Sequence, residues 1–269
     1  MHALFRAMSM LPGGRLEEGG HVARHLRFPT NPMFKGAWAT RVPKREEDAV
    51  IDETIDWFRS RQAPYFFWWT GPQTRPSALG ARLMAKGFIS MEEQQKVLAH
   101  GIVQTASGAP VMTMDLRDAD PSLIGRVPPG FAVREATSLA DLDAFKEVFV
   151  STYEIPEWAG QAWVDATMSF GLGRSPWRIF IGWLDGEAVA TNILFNGGGV
   201  ASVYAIATIA KVRGQGIGAA ITLAPLLIAR DAGYRYAALF STEMGMPVYA
   251  RIGFRDTGAR IDRYLWRAG

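Results

Sequence analysis

The chemistry that this chain can perform is most visible in a glycine-rich loop, residues 213–218 (RGQGIG), between a predicted strand and a predicted helix. The first turn of a helix leaves N–H groups without partners and carries the positive end of the helix dipole, so it favours an anion. Because three glycines alternate in this loop, no side chain keeps a pyrophosphate away from the backbone. Lys211 and Arg213 add positive charge nearby. The loop therefore predicts a phosphate-binding site.

Several interpretations of this loop compete. It is not a P-loop, since no Lys-Ser or Lys-Thr pair follows its last glycine. Gly214, Gly216 and Ala219 satisfy the G-x-G-x-x-A pattern of dinucleotide-binding folds. However, the nearest acid at a predicted strand end, Glu243, lies further along than the usual spacing of about 20 residues. A glycine-rich helix start that binds no ligand is another alternative.

The loop lies within a run of elements that predicts an α/β fold, with a mixed, mostly antiparallel sheet flanked by helices. Three antiparallel strands are expected in succession, because Asp185-Gly186 is a hairpin signal and three glycines follow at 197–199. The predicted elements are a strand at 133–136, a helix capped by Ser138 with Asp141, strands at 177–184, 187–196 and 200–207, a helix at 216–232 ended by Gly233, a strand at 234–240, a short helix ended by Gly253 and a strand at 261–266.

The first half of the chain repeats part of this order. Residues 44–62 are predicted to form an amphipathic helix and residues 64–70 a strand. A second helix, at 77–88, ends in a Gly-Phe pair, as the short helix before Gly253-Phe254 does. This order indicates an internal half-repeat.

A proline- and glycine-rich stretch separates the two halves. Residues 118–130 contain three prolines and two glycines between patterned segments. We therefore predict a truncated domain over residues 1–122 and a complete domain over residues 130–269.

The second half resembles the GNAT superfamily of N-acetyltransferases. The hallmark of that family is Arg or Gln, two residues, Gly, one residue, then Gly or Ala, at the start of the helix after the fourth strand. Arg213, Gly216 and Gly218 occupy those places. The segment STEMGMPVYARIGF follows the next predicted strand and carries Tyr249 four residues before Gly253-Phe254, which is the second landmark of the family. The resemblance covers about half of the chain.

The first half resembles the degenerate first repeat of tandem GNAT proteins. It has VPKREED where the second half has its glycine loop, and Leu83 where the second half has Tyr249. The resemblance therefore implies one cofactor site per chain, in the second domain.

The resemblance also implies a reaction, in which a neutral amine of a small molecule or peptide attacks the thioester of acetyl-CoA directly. In the family the pantetheine arm pairs with the fourth strand, where a backbone N–H polarises the thioester. Tyr249 is the expected general acid for the departing thiolate, because a tyrosine is protonated at neutral pH. The general base stays open among Glu154, Glu157 and Glu243, which are solvated carboxylates by default. The residues expected to bind acetyl-CoA are Ile206, Ala207, Thr208, Arg213, Gly214, Gln215, Gly216, Ile217, Gly218, Ala219 and Thr242.

The composition of the chain limits the classes of protein and the kinds of site that are possible. A chain of 269 residues with 48% hydrophobic residues can build sizeable cores, and zero cysteines exclude disulfides, thiolate zinc sites and a cysteine nucleophile. The first 14 residues do not have the pattern of a signal peptide, and no apolar run is long enough to cross a membrane. A formal net charge of +3 with scattered basic residues argues against a nucleic-acid surface. The four histidines do not predict a metal site.

We therefore expect a cytoplasmic acetyl-CoA-dependent N-acetyltransferase that binds no metal, membrane or nucleic acid and is a monomer or a homodimer. A binding module that senses acyl-CoA without turnover is the first alternative. A dinucleotide-binding oxidoreductase is the second.

Overall fold

A computed structural model of the chain describes residues 1–27, 34–43, 45–91 and 108–268. The described helices are α1 (His2–Ser9), α2 (Glu47–Arg59), α3 (Leu79–Ala85), α4 (Leu139–Tyr153), α5 (Glu157–Phe170), α6 (Ile217–Asp231) and α7 (Met246–Arg251). The described strands are β1 (Arg15–Glu17), β2 (Ala23–Leu26), β3 (Lys35–Trp38), β4 (Tyr65–Thr70), β5 (Ile89–Ser90), β6 (Ala109–Asp115), β7 (Phe131–Glu135), β8 (Trp177–Leu184), β9 (Glu187–Gly197), β10 (Val200–Thr208), β11 (Tyr236–Phe240) and β12 (Arg255–Arg267). None of these helices is long and apolar enough to cross a membrane.

The chain packs into two compact units. Among the described residues, unit 1 contains those up to residue 91 together with 108–110 and 259–268, and unit 2 contains residues 111–258. These limits differ from the predicted domains, 1–122 and 130–269. The difference arises because most of β6 pairs within unit 2, whereas the second part of β12 pairs with β4 in unit 1.

Unit 1 is built on a sheet whose described strands run in the order β1-β2-β3-β4-β12. Strands β3 and β4 are parallel, and the other neighbours are antiparallel. Helix α2 connects the two parallel strands and buries Ile51 and Phe58. The ring of Phe58 stacks on that of Phe66 in β4, with 3.9 Å between the centroids. The predicted helix, strand and short helix of the first half are confirmed as α2, β4 and α3.

Local signals set the limits of several elements in unit 2. Ser138 Oγ accepts a hydrogen bond from the Asp141 amide at 3.1 Å, and the Asp141 carboxylate accepts from the Ser138 amide at 3.0 Å, so a capping box starts α4. Asp185 and Gly186 both have positive φ, at 50° and 86°, as the tight turn between β8 and β9 requires. Gly233, with φ of 92°, follows the end of α6. These predictions are confirmed.

The sheet of unit 2 runs in the order β6-β11-β10-β9-β8-β7. Only β10 and β11 are parallel among these described strands, so the predicted, mostly antiparallel mixed sheet is confirmed. Helix α6 connects the parallel pair and packs its apolar side onto the core, where Ile217, Ile221 and Leu226 are buried with Val203 and Leu239. Burial of that side holds the start of α6 against the sheet.

Two predicted segments differ in extent from the structure. Residues 121–125 of the predicted linker form a short 3₁₀ turn, and Leu123, Ile124 and Val127 pack against the core of unit 2. The stretch is therefore part of that unit. The last strand was predicted at 261–266 but is β12, which begins at Arg255.

The two units repeat one topology. The order β1-β2-β3-β4-β12 in unit 1 matches β8-β9-β10-β11-β6 in unit 2, with the parallel pair at the same place. The turns after α3 and α7 also match, since the Phe88 amide donates to the Leu83 carbonyl at 3.1 Å and the Phe254 amide to the Tyr249 carbonyl at 3.0 Å. The half-repeat predicted from the sequence is thus present in the backbone.

Candidate functional site

The glycine loop forms the turn into α6, and its conformation depends on glycine. Gly216 caps the helix with φ of +83°, a left-handed value that other residues adopt only with strain. A Cβ atom at Gly216 would overlap the carbonyl oxygen of Arg126. Gly214 also has a positive φ, +77°, and no atom lies within 4 Å of a Cβ placed there. The turn itself therefore requires Gly216, whereas Gly214 borders open space.

Consecutive amides at this turn have no partner within the described residues. The amides of residues 214–219 find no acceptor there. Residues 216–219 form the start of α6, where the amides have no preceding helical carbonyl to bind. Gly218 lies in this first turn and its φ is not positive. A Cβ atom at Gly218 would meet only Thr208 Oγ1 at 3.6 Å and Val248 Cγ1 at 3.8 Å, which are ordinary contacts. Together with the helix dipole, these amides form a surface suited to an anion.

The two basic side chains of the turn behave differently. Lys211 Nζ pairs with the Glu187 carboxylate at 2.7 Å, so its charge is already balanced. Arg213 Nε donates to the Thr208 carbonyl at 2.9 Å, which holds the guanidinium at the end of β10. No carboxylate of the described residues pairs with Arg213. Arg213 is therefore the cation that the turn offers to a ligand.

Strands β10 and β11 separate beside this turn. Their parallel pairing extends only from Val200 opposite Tyr236 to Ser202 opposite Ala238, although β10 continues to Thr208. The ring of Tyr204 meets that of Phe240 edge-on, with 6.5 Å between the centroids. The last residues of β10 consequently have no partner strand on the β11 side within the described residues.

The other edge of β10 contains a bulge. The antiparallel register with β9 shifts between Tyr204 and Ala207, and Ala205 has a positive φ of 49°. Thr191 Oγ1 donates to the Ala205 carbonyl at 2.7 Å, and Tyr153 Oη donates to the Ile206 carbonyl at 2.8 Å. Neither hydroxyl group could be predicted as part of the site, because no local sequence pattern links residues so far apart in the chain.

Tyr249 lies in α7 with its ring buried in the core of unit 2. Burial raises the pKa of its hydroxyl well above the ordinary value, and the nearby Tyr153 raises that pKa further. Burial also raises the pKa of Tyr153, to about 12. The Tyr249 hydroxyl makes no hydrogen bond to the described part of the chain. The Tyr249 hydroxyl is therefore protonated and can donate a hydrogen bond or a proton to a ligand.

The predicted cofactor-binding residues occupy four segments. Ile206, Ala207 and Thr208 end β10, Arg213, Gly214, Gln215 and Gly216 form the turn, Ile217, Gly218 and Ala219 begin α6, and Thr242 precedes α7. The side chains of Ala207 and Ile217 are buried in the core, so only their backbone can face a ligand. Thr242 Oγ1 accepts from the Gly245 amide at 3.2 Å, which uses this hydroxyl to shape the turn before α7.

The three carboxylates weighed as a general base lie at the surface. Glu154 ends α4 with a left-handed φ of 51° and is exposed, and Glu243 is exposed as well. Glu157 faces Lys146 Nζ at 3.4 Å. The geometry singles out none of them. The described residues also contain no group of three or more His, Cys, Asp or Glu side chains that could hold a metal.

Comparisons with known proteins establish the fold. No protein-family model matches the sequence, and no curated protein matches it. A GCN5-related N-acetyltransferase from Kribbella flavida is similar in structure, with a TM-score of 0.67 and 18% identity over 99% of this chain and 96% of that one. A functionally unknown conserved protein from Staphylococcus epidermidis gives a TM-score of 0.69 and 12% identity, covering 95% of each chain.

A tandem GNAT protein from the clavulanic acid biosynthesis pathway is also similar, with a TM-score of 0.59 and 16% identity over 96% of this chain and 85% of that one. At these identities the likeness concerns the fold. The chain thus has the GNAT fold along nearly its whole length, and the predicted resemblance and fold class are confirmed at that level.

Proposed function

We propose that this chain is an acetyl-CoA-dependent N-acetyltransferase that modifies an amine of a small molecule or peptide. The observation that carries the proposal is the row of unpartnered amides at residues 214–219, beside the place where β10 separates from β11. An acyl-CoA uses both features, since its diphosphate needs amide donors and its extended arm needs a free strand edge. The fold shared with GCN5-related N-acetyltransferases supports the same function.

The residues at the turn fit the chemistry of coenzyme A. The amides of residues 214–219 and the guanidinium of Arg213 are the groups that would hold the diphosphate, and the open space at Gly214 leaves room for it. Residues 206–208 at the free edge of β10 would hold the pantetheine arm. When bound, acetyl-CoA supplies an activated acetyl thioester.

The chain supplies a proton at Tyr249. The raised pKa keeps the hydroxyl protonated at neutral pH, and no described residue competes for its proton. This hydroxyl is suited to donate to the thiolate that leaves when a neutral amine attacks. Water can take the proton of the amine, since none of the nearby carboxylates is held in a geometry that assigns it this role.

A turnover assay tests this function. We expect the protein to release free thiol from acetyl-CoA in the presence of at least one member of a panel of amines, at a rate that depends on the amine. Binding of acetyl-CoA without release of thiol above the hydrolysis background would instead indicate a sensing module. In a thermal-shift control, coenzyme A at about 100 times its dissociation constant should stabilise the protein by about 2.7 kcal/mol. Stabilisation by NAD alone would favour an oxidoreductase.

A further inference from the structure

The bulge in β10 is a strained feature that two hydroxyl groups hold in place. Tyr204 lies opposite Ile193 and Ala207 lies opposite Thr191, so two residues of β10 face one position of β9. These two residues are Ala205 and Ile206. Ala205 has a left-handed φ of 49°, which costs free energy for a residue with a side chain. A conformation of this kind persists only where surrounding contacts hold it.

The contacts that hold it come from two different elements. Thr191 in β9 donates from Oγ1 to the Ala205 carbonyl at 2.7 Å, and Tyr153 at the end of α4 donates from Oη to the Ile206 carbonyl at 2.8 Å. The side chain of Thr191 is buried, and burial keeps the Tyr153 hydroxyl protonated. Two consecutive carbonyls are therefore fixed from independent anchors.

Fixing a carbonyl also fixes the amide that follows it. A trans peptide is planar, so its C=O and its N–H point in opposite directions. Thr191 thereby sets the direction of the Ile206 N–H, and Tyr153 sets the direction of the Ala207 N–H. Because Thr191 belongs to β9, the Ile206 N–H points away from that strand, and β11 is the neighbour of β10 on its other side. That side is where β10 and β11 have separated.

We propose that Thr191 and Tyr153 are positioning residues for acetyl transfer, which hold the bulge so that the Ile206 amide donates to the carbonyl oxygen of the thioester. This inference rests on the proposed function. Negative charge develops on that oxygen when the amine attacks, and a donor aimed beforehand stabilises it. A bulge released by loss of either hydroxyl would present the same amide in the wrong direction.

Steady-state kinetics of matched variants test the proposal. Thr191→Val removes the hydroxyl without changing the shape of the side chain, and we expect kcat to fall about tenfold or more while the affinity for coenzyme A changes less than about twofold. Thr191→Ser keeps a hydroxyl and should retain most of kcat. Tyr153→Phe should lower kcat in the same way. Ser151→Ala removes a hydrogen bond from Ser151 Oγ to the Glu147 carbonyl on the same helix and should leave kcat unchanged.

A binding measurement separates this inference from the proposed function. Acetyl-CoA has a thioester carbonyl and coenzyme A has none, so Thr191→Val and Tyr153→Phe should weaken binding of acetyl-CoA and leave that of coenzyme A unchanged. Suppose that wild-type protein turns over acetyl-CoA and that both variants have the same kcat and the same ratio of acetyl-CoA affinity to coenzyme A affinity as wild type. The positioning role is then wrong, and the proposed function stands. If wild-type protein binds neither ligand, the proposed function is wrong and the inference fails with it. Should Thr191→Val not fold, Tyr153→Phe decides by the same two measurements.

Discussion

The two repeats build the same strand-helix-strand unit and finish it differently. In unit 2 the pairing of β10 with β11 stops at Ser202, which leaves the last residues of β10 without a partner strand on that side among the described residues. In unit 1 the chain that follows β4 turns back onto the chain that follows β3. The Arg75 amide donates to the Thr40 carbonyl at 2.9 Å, and the Val42 amide donates to the Arg75 carbonyl at 2.9 Å. The protein's own backbone therefore pairs where a ligand could pair in unit 2.

The first turns of α2 and α6 also differ in charge. The first turn of α2 contains Glu47 and Asp48, which face Arg82 at 3.3 Å each. The first turn of α6 contains no acidic residue, and its amides have no partner among the described residues. Carboxylates at a helix start repel an anion and satisfy the helix dipole themselves.

This difference shows that one topology can leave backbone groups open in one repeat and pair them within the chain in the other. Backbone groups that lie inside a protein need partners, either from a ligand or from the chain. In unit 1 the segment around Arg75 supplies such backbone partners, and the carboxylates in the first turn of α2 balance the dipole of that helix. Under the proposed function we therefore expect one acetyl-CoA site per chain, in unit 2.

The largest expected effect comes from giving α6 the helix start of α2. Gly218→Asp places a carboxylate at the second helical position, where α2 has Asp48. A Cβ atom is tolerated there, so the variant should fold. We expect its affinity for coenzyme A, measured by calorimetry, to fall about 100-fold, because a charge near the diphosphate repels it by several kcal/mol at short range.

Two controls separate charge from bulk and from position. Gly218→Ala adds the same Cβ atom without charge and should retain most of the affinity. Ile228→Asp adds the same charge on an exposed position near the far end of α6 and should leave the affinity unchanged. A folded Gly218→Asp variant with wild-type affinity would remove the start of α6 from the proposed site.

The next effect concerns the position where the repeats have Tyr249 and Leu83. Tyr249→Phe removes only the hydroxyl, and we expect kcat to fall about 10- to 100-fold with little change in the affinity for coenzyme A. The fold should keep its stability, since the hydroxyl has no hydrogen-bond partner among the described residues. In wild-type protein the raised pKa means that kcat is not lost through ionisation of Tyr249 as the pH rises from 7 to about 10. A kcat unchanged by the substitution would assign the ring to packing alone.

The smallest expected effect on the affinity for coenzyme A comes from a substitution in unit 1. Trp68 Nε1 donates to Thr40 Oγ1 at 2.9 Å, and both side chains are buried. Thr40→Val leaves the indole N–H without its partner, so we expect the free energy of unfolding to fall by about 1–3 kcal/mol, measured in urea. Thr40→Ser should recover most of that loss. The affinity for coenzyme A should not change in either variant, and a clear change would mean that unit 1 takes part in binding.

Much of the fold could be predicted because its signals are local. Ser138 with Asp141, the Asp185-Gly186 turn and Gly233 each set a helix end or a hairpin through neighbours within a few residues. The glycine loop belongs to the same class, since alternate glycines before an apolar helix restrict the backbone locally. The start of β12 and the true limits of the two units could not be predicted, because they depend on which distant strands pair.

The sequence by itself determined the glycine turn, the order of the elements and the position of Tyr249 in a short helix before Gly253-Phe254. Tertiary structure alone decided that Lys211 is balanced by Glu187 and that Thr191 and Tyr153 meet consecutive carbonyls of the bulge. It also decided that the backbone of Arg75 pairs with that of Thr40 and Val42 in unit 1. The physical reason is range: dihedral preferences and caps act between near neighbours in the chain, whereas a hydrogen bond to a distant carbonyl exists only after the sheet has formed.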